Sequence, residues 1–437
     1  MSVPLDNLCH WVESMLPAPA VIYLFCPHGS KNISNLVWLN DYDVTTVWKF
    51  PTIIVHDQEP LDWELYRAPE QYLDFWKKYN LTEPIHQVFF NYNSNFNLKS
   101  LAATLVGNTY DQAILIHSEK NSKDLEQYQS NEFICVHYWA HAIIARDWYR
   151  FSKYDTRLQS DTKPQNKFLI YCRDWSHRRE YRLKFLEMLV QNGIDSVSQI
   201  SVMHVNSEDV HFSQHQFKNT DFELIDPALI DQIPSNQFSS TASADYNPSD
   251  FVNCELSVVL ETVFDESRIH LTEKTLRPIA CGHPFILAAG PGALEYVRSY
   301  GFKTFAPWID ESYDREPNSL KRLEKIIQAM QQIQNLQGQE LVNFQMNIKQ
   351  IAEFNKKHFF SDEFFNVVKD ELKTNLVLAY DQIKKSRGKH YMALLKIIKK
   401  QKLLGQMRSR PVHSKFIRQL RLSCQLGQSS PRIDPLV

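Results

Sequence analysis

Between Glu261 and Arg277 the chain brings together residue types that can grip a phosphate. An apolar run, Leu256-Ser257-Val258-Val259-Leu260, ends in Glu261-Thr262; Thr272-Glu273-Lys274 follows, with Arg277 three residues further on. Threonine ahead of Glu-Lys predicts a helix start with Thr272 as N-cap. Such a start offers free backbone N–H groups and a partial positive charge, which suits a diphosphate. Lys274 and Arg277 share a helix face, so both can reach phosphate oxygens. Glu273 points elsewhere and is free to accept hydrogen bonds from ribose or sugar hydroxyls. A capped surface helix with an ordinary ion pair has the same letters, and the spacing alone does not choose between the two.

Two other polar clusters follow apolar runs. Phe168-Leu169-Ile170-Tyr171-Cys172 leads into Arg173 and then Arg178-Arg179, and Thr52-Ile53-Ile54-Val55 leads into His56-Asp57-Gln58-Glu59-Pro60. In an open parallel sheet, ligand groups sit beyond the carboxyl ends of the strands, which is where these clusters fall. A basic helix start and a plain turn are the competing readings, since Asp and Pro favour turns in any context.

The elements that would position them alternate. Apolar runs at 20–25, 52–55, 85–90 and 113–116 read as buried strands, and a second series is predicted at 168–171, 199–204, 221–225, 256–263 and 284–288. A helix is expected from about Glu180 to Asn192, and covering helices over 318–356. The aromatic, helix-like stretch Ala140 to Tyr154 and the polar linker 159–166 mark a boundary. The predicted architecture is α/β, GT-B-like, with two Rossmann-like domains facing a cleft: residues 1–160 and residues 166–375, then a basic tail over 382–437. The 235–250 stretch reads as a loop, and Asp310-Glu311-Ser312-Tyr313-Asp314 as a solvated turn, since it lacks the glycine and spacing of a calcium loop. His137, His141 and Arg146 to Arg150 read as interdomain packing.

The composition sets outer limits. With 437 residues, 43% apolar and 12% aromatic, the chain can bury two cores. Seven scattered cysteines form no CxxC pair, so neither a disulfide framework nor a zinc ribbon is indicated and a reducing compartment fits. No Lys or Arg precedes Lys31, so no signal peptide is expected, and no apolar run approaches the roughly 20 residues of a membrane span. The net charge of −2 hides an asymmetry, because residues 382–437 hold 14 Lys/Arg against the single acid Asp434. Within the tail, Tyr391, Leu394, Leu395 and Ile398 form an apolar stripe beside Lys396, Lys399 and Lys400. Such a helix can lie on an anionic membrane surface, bind nucleic-acid phosphate or pack on the acidic body.

The segment Glu261, Leu271-Thr272-Glu273-Lys274 and Gly282-His283-Pro284 resembles the donor-binding region of α-1,3-fucosyltransferases and related GT-B glycosyltransferases. Glu261-Thr262-Val263 departs from the Glu-Asn-Ser of that family. The string through Gly301-Phe302-Lys303-Thr304-Phe305 also resembles uncharacterised glycosyltransferase-like proteins, many of them phage-encoded.

The resemblance implies a nucleoside diphosphate sugar as co-substrate, GDP-linked sugars among the candidates, with Glu273 and Lys274 on the donor and Glu261 and Thr272 beside them; helix spacing adds Arg277 to the donor contacts. It implies an arginine on the diphosphate, Arg178 or Arg179, with Arg173 at the same strand end; a guanidinium fork there would neutralise the leaving group. Glu59 matches the family's carboxylate base, with Asp57 as its rival. The expected activity is therefore a metal-independent, inverting transfer to a glycan or other hydroxyl acceptor, in the cytoplasm or at the inner face of the membrane. Two rivals are open: a non-catalytic nucleotide- or polyanion-binding protein of the same fold, and a nucleic-acid-modifying glycosyltransferase guided by its tail.

Overall fold

The computed structural model describes residue 15 and residues 21–25, 52–56, 60–61, 113–130, 133–159, 163–206, 209–236 and 242–405, with side chains up to residue 385. The chain forms two compact units, Met1–Ile383 and Lys384–Val437. Among its described residues the larger unit holds two four-stranded sheets, both parallel throughout.

The first sheet has the order β1 (Val21–Phe25), β2 (Thr52–His56), β3 (Ala113–His117), β4 (Phe133–His137). Ile114, Leu115 and Ile116 are all buried, so β3 is covered on both faces and its apolar run is continuous. Helix α1 (Lys123–Ser130) packs beside β4, and α2 (Ala140–Trp148) follows it, burying every residue from Ala140 to Ala145. The expected run at 85–90 lies outside the described residues. β4 was not among the expected strands: its short Phe-Ile-Cys-Val-His run merges into the aromatic segment that follows.

The second sheet has the order β6 (Ser198–Val202), β5 (Asn166–Cys172), β7 (Cys254–Leu260), β8 (Phe285–Ala288). The chain starts in an inner strand, moves out to one edge and then crosses to the other side. The crossing makes a topological switch point between β5 and β7, and crevices that bind ligands open at such points. Helix α3 (Tyr181–Gln191) links β5 to β6. The single turn α4 (Ala228–Asp231) and α5 (Pro248–Asn253) precede β7. Helices α6 (Glu273–Cys281) and α7 (Ala293–Ser299) flank β8.

Two expectations need correction here. Residues 221–225 form no strand. The turn Thr220–Phe222 is followed by backbone whose Ile225 and Asp226 amides donate to the buried Glu187 carboxylate at 2.5 and 2.6 Å. The 235–250 stretch is not all loop, since α5 begins at Pro248 with Asn247 as its cap.

Helices α8 (Ser319–Gln334), α9 (Gly338–Phe359) and α10 (Asp362–Gly405) complete the fold. Phe364, Val368, Leu372 and Leu376 recur every four residues of α10 and are buried, the stripe of a helix covering a core. The apolar stripe expected at 391–398 lies outside the described side chains. Among the described residues, no helix is long and apolar enough to cross a membrane.

Candidate functional site

Helix α6 begins at the junction of the two sheets. Thr272 caps it, accepting the Lys274 amide at 3.3 Å, and Gly282 ends it in the left-handed region at φ +71°. Beneath the start lies Glu261, fully buried at the end of β7. Its carboxylate accepts the Thr272 amide and hydroxyl at 2.9 and 2.7 Å, the Thr275 amide and hydroxyl at 3.2 and 2.6 Å, and its neighbour's amide at 3.3 Å. A buried carboxylate against orphan helix N–H groups braces the helix. Both Glu261 oxygens are therefore used in holding α6, and Thr272 is tied into the same arrangement.

Glu273 and Lys274 lie outside that brace, Glu273 buried and Lys274 half-buried. Lys274 Nζ lies 3.0 Å from Glu273 Oε1 and 3.2 Å from Thr272 Oγ1, with its side chain 26% exposed. His141, from α2 of the first half, brings Nε2 to 3.8 Å from Glu273 Oε2. Burial works against the charge on Glu273, but Lys274, His141 and hydrogen bonding outweigh it and hold the group down at about 2. Arg277 turns to the side and stacks its guanidinium over the Tyr171 ring of β5 at 4.5 Å.

The loop after β5 sits across the switch point. Arg173 is exposed, and Arg179 pairs with Asp174 at 3.1 Å. Arg178 bonds to Glu266 and lies 3.8 Å from Asp124. Two buried residues not singled out from sequence join this loop to the end of β7. Arg182 donates to the carbonyls of Asp174, Leu260 (2.6 Å) and Glu261 (3.1 Å), and the Tyr181 hydroxyl donates to Glu261 O at 2.7 Å. Each lies in an amphipathic-looking helix start, where nothing in the letters signals a partner about 80 residues away.

A second group missed from sequence joins the halves. Arg268, 2% exposed, donates to Leu61 O at 2.6 Å, to Glu119 at 3.0 Å, to Glu266 at 3.2 Å and to Asp124. Lys120 and Ile269 exchange backbone bonds of 3.0 and 2.9 Å, and Trp139 Nε1 donates to Leu271 O at 2.9 Å. Gly290 lets the end of β8 approach this loop: a Cβ there would lie 2.5 Å from Arg268 O.

Glu59 and Asp57 lie outside the described residues. The segment that carries them starts at the buried His56 of β2. It returns at Leu61, whose amide donates to Glu119.

His137 bonds to Glu371 at 3.0 Å and to Tyr296 at 3.3 Å, and Arg146 donates to the carbonyls of Phe359, Phe360 and Ser361 at the end of α9. His137 thus ties β4 to α7 and α10, and Arg146 ties α2 to the end of α9. The 310–314 turn is only partly solvated: Asp310 and Ser312 are exposed, but Glu311 accepts the Phe305 amide at 2.6 Å and the buried Asp314 accepts that of Leu294 at 2.9 Å.

Neither a protein-family model nor a curated protein matches the chain. Among solved structures it is similar to WaaG, a glycosyltransferase involved in lipopolysaccharide biosynthesis, at 11% identity and a TM-score of 0.35 over 84% of this chain and 94% of that one. A score that low leaves the topology to stand on the two parallel sheets themselves.

Glu273 gives the site a pH signature. Its folded value, about 2, is below the ordinary 4.5, so its contribution to stability is present above 4.5 and lost as pH falls toward 2. Replacing it, Glu273→Gln, is expected to remove about 3 kcal/mol of acid dependence. Urea midpoints followed from pH 5 to 2 check this; parallel acid profiles for variant and wild type would contradict it.

Proposed function

We propose that this chain transfers a sugar from a nucleoside diphosphate sugar to a hydroxyl acceptor, with the donor held at the switch point of the second sheet. The observation that carries the reading is the placing of the α6 start beside that switch point, Lys274 presented from a helix N-terminus whose underside is already satisfied by Glu261. The amides of Thr272, Lys274 and Thr275 are already taken, so a diphosphate there meets the positive end of the α6 dipole and one ammonium on a braced, low-entropy framework.

Glu273, held ionised, accepts hydroxyls of the ribose or sugar. Arg179 or Arg178 comes from the loop across the switch point and, by exchanging its present carboxylate for phosphate, steadies the leaving nucleotide. Positive side chains do this work without a metal in the reaction. The resemblance to α-1,3-fucosyltransferases at Thr272-Glu273-Lys274 supports the same assignment. The acceptor is deprotonated by a carboxylate of the segment between His56 and Leu61, Glu59 with Asp57 as rival, making the reaction inverting. Both ends of that segment lie at the carboxyl edge of the first sheet, and Leu61 is fastened to Arg268 of the second half.

A panel of nucleotide sugars and nucleoside diphosphates, tested by thermal shift, checks the reading. At least one is expected to stabilise the wild type, and Lys274→Ala is expected to weaken that ligand about 10- to 100-fold, the worth of a charge-assisted phosphate contact. If no nucleotide stabilises the wild type more than the variant, the donor site is elsewhere. Binding without transfer or hydrolysis would favour the non-catalytic rival.

A further inference from the structure

A second constellation stands beyond the carboxyl end of the edge strand β6. The chain leaves Val202, runs through His204 and returns through His211 in a narrow hairpin, closed by bonds from Asn206 N to Val210 O (3.0 Å) and Phe212 N to His204 O (2.9 Å). Asp209 sits in the left-handed region at φ +59°, which short polar side chains tolerate. This geometry puts the two imidazoles on neighbouring arms, ring centres 6.0 Å apart and nearly perpendicular. Asp231, the last residue of α4, reaches the same spot. One donor atom from each of His204, His211 and Asp231 lies within 4.8 Å of the others, and His211 Nε2 is 3.8 Å from Asp231 Oδ1.

Two details separate this cluster from an ordinary surface ion pair. His204 Nε2 is buried and finds no hydrogen-bond partner among the described residues, a cost that a bound ion would remove. His211 Nδ1 accepts the Ser213 amide at 3.3 Å and lies 2.9 Å from Ser213 Oγ, which holds the ring with Nε2 toward Asp231.

We propose that His204, His211 and Asp231 form a site for a divalent transition ion, zinc by preference, with water in the remaining position. Two imidazoles and one carboxylate suit zinc better than calcium or magnesium, which prefer oxygen-only shells. Metal–ligand distances of about 2.0–2.2 Å require the donor atoms to approach to roughly 3.3 Å of one another. The Asp231 side chain, 54% exposed at the end of a single turn, is placed to make that move.

The bound ion would clip the hairpin of β6 to α4. Trp175 Nε1 donates to Met203 O at 2.8 Å, so the clip would also steady the loop that carries Arg173 to Arg179. It takes no part in sugar transfer, so the site stands or falls apart from the donor assignment.

The test uses the full chain stripped of metal with a chelator and titrated with cobalt(II), then with zinc(II). Expected are one equivalent of cobalt bound with visible d–d absorption, its displacement by zinc, and a rise in melting temperature with zinc. Affinity is expected to fall tenfold or more in both His204→Ala and Asp231→Asn. The Asp231 variant alters an exposed carboxylate, so it keeps the test decisive if the His204 variant fails to fold. No saturable cobalt binding, or binding unchanged by Asp231→Asn, would overturn the proposal; the latter would place the ion elsewhere, for instance on a cysteine.

Discussion

Replacing Arg268 by methionine is expected to destabilise the larger unit by about 3–5 kcal/mol, the usual cost of removing one partner from a buried ionic group. The guanidinium is 2% exposed and serves Leu61 O, Glu119, Asp124 and Glu266 together. Methionine fills much of the volume but takes the cation from Glu119, while Arg178 still serves Glu266 and Asp124.

Glu119 is the vulnerable member. Burial raises it from 4.5 to about 7, and Arg268 is the strongest of the influences that pull it back. With the arginine gone, Glu119 stays protonated at neutral pH and keeps only neutral donors such as the Leu61 amide. The double variant Arg268→Met with Glu119→Gln is therefore expected to recover part of the loss.

Glu119 alone sets a second pH dependence, opposite in sign to that of Glu273. Its folded value is raised, so its contribution is fully present below 4.5 and is lost as pH rises through 7; Glu119→Gln should flatten that interval. Urea unfolding of the three variants decides the matter, and a cost for Arg268→Met under about 1 kcal/mol would mean that water, not protein, satisfies these carboxylates.

The same network marks where the sequence stops being informative. β5, β7 and α6 are readable because each is set by neighbours in the chain. Strands buried on both faces give unbroken apolar runs, and a Thr-Glu-Lys start signals its own cap. Glu261 is readable as a residue type but not as a brace, because its partners are 11 and 14 residues on and meet it only once the loop folds back. Arg268 and Glu119 are 149 residues apart in the chain, and no local period connects them.

The failed strand at 221–225 teaches the complementary lesson. Phe222 is buried against Tyr181 and Phe264, giving one apolar position of the expected alternation. The backbone beyond it is satisfied by the Glu187 carboxylate instead of by a neighbouring strand. Side-chain periodicity reports burial; it does not report where the amides bond. Histidines 204 and 211 give no signal in the sequence for a related reason: their spacing carries no metal signature, and Asp231 joins them only in the fold.

Removing Glu261 is expected to have a comparable effect on the fold and a more specific one on the site. Glu261→Ala strips five hydrogen bonds from a fully buried position and leaves the amides and hydroxyls of Thr272 and Thr275 without their acceptor. Charge-assisted bonds of this kind and unsatisfied buried donors together put the cost at about 3–5 kcal/mol. Glu261→Gln keeps the shape and one accepting oxygen but turns an N–H₂ toward groups that are themselves donors. About half the loss is expected, with a folded chain still available for binding measurements.

In that folded variant the α6 start is no longer held from below, so on the proposed donor assignment a nucleotide should bind more weakly although Lys274 is intact. The resemblance to fucosyltransferases allowed another role for Glu261, as a direct donor contact. The two roles separate cleanly: a direct contact predicts weaker nucleotide binding at unchanged stability, while a brace predicts that both fall together. Chemical denaturation of Glu261→Gln alongside a nucleotide titration distinguishes them. A denaturation midpoint equal to that of the wild type would remove Glu261 from the frame of the site and return it to the list of ligand contacts.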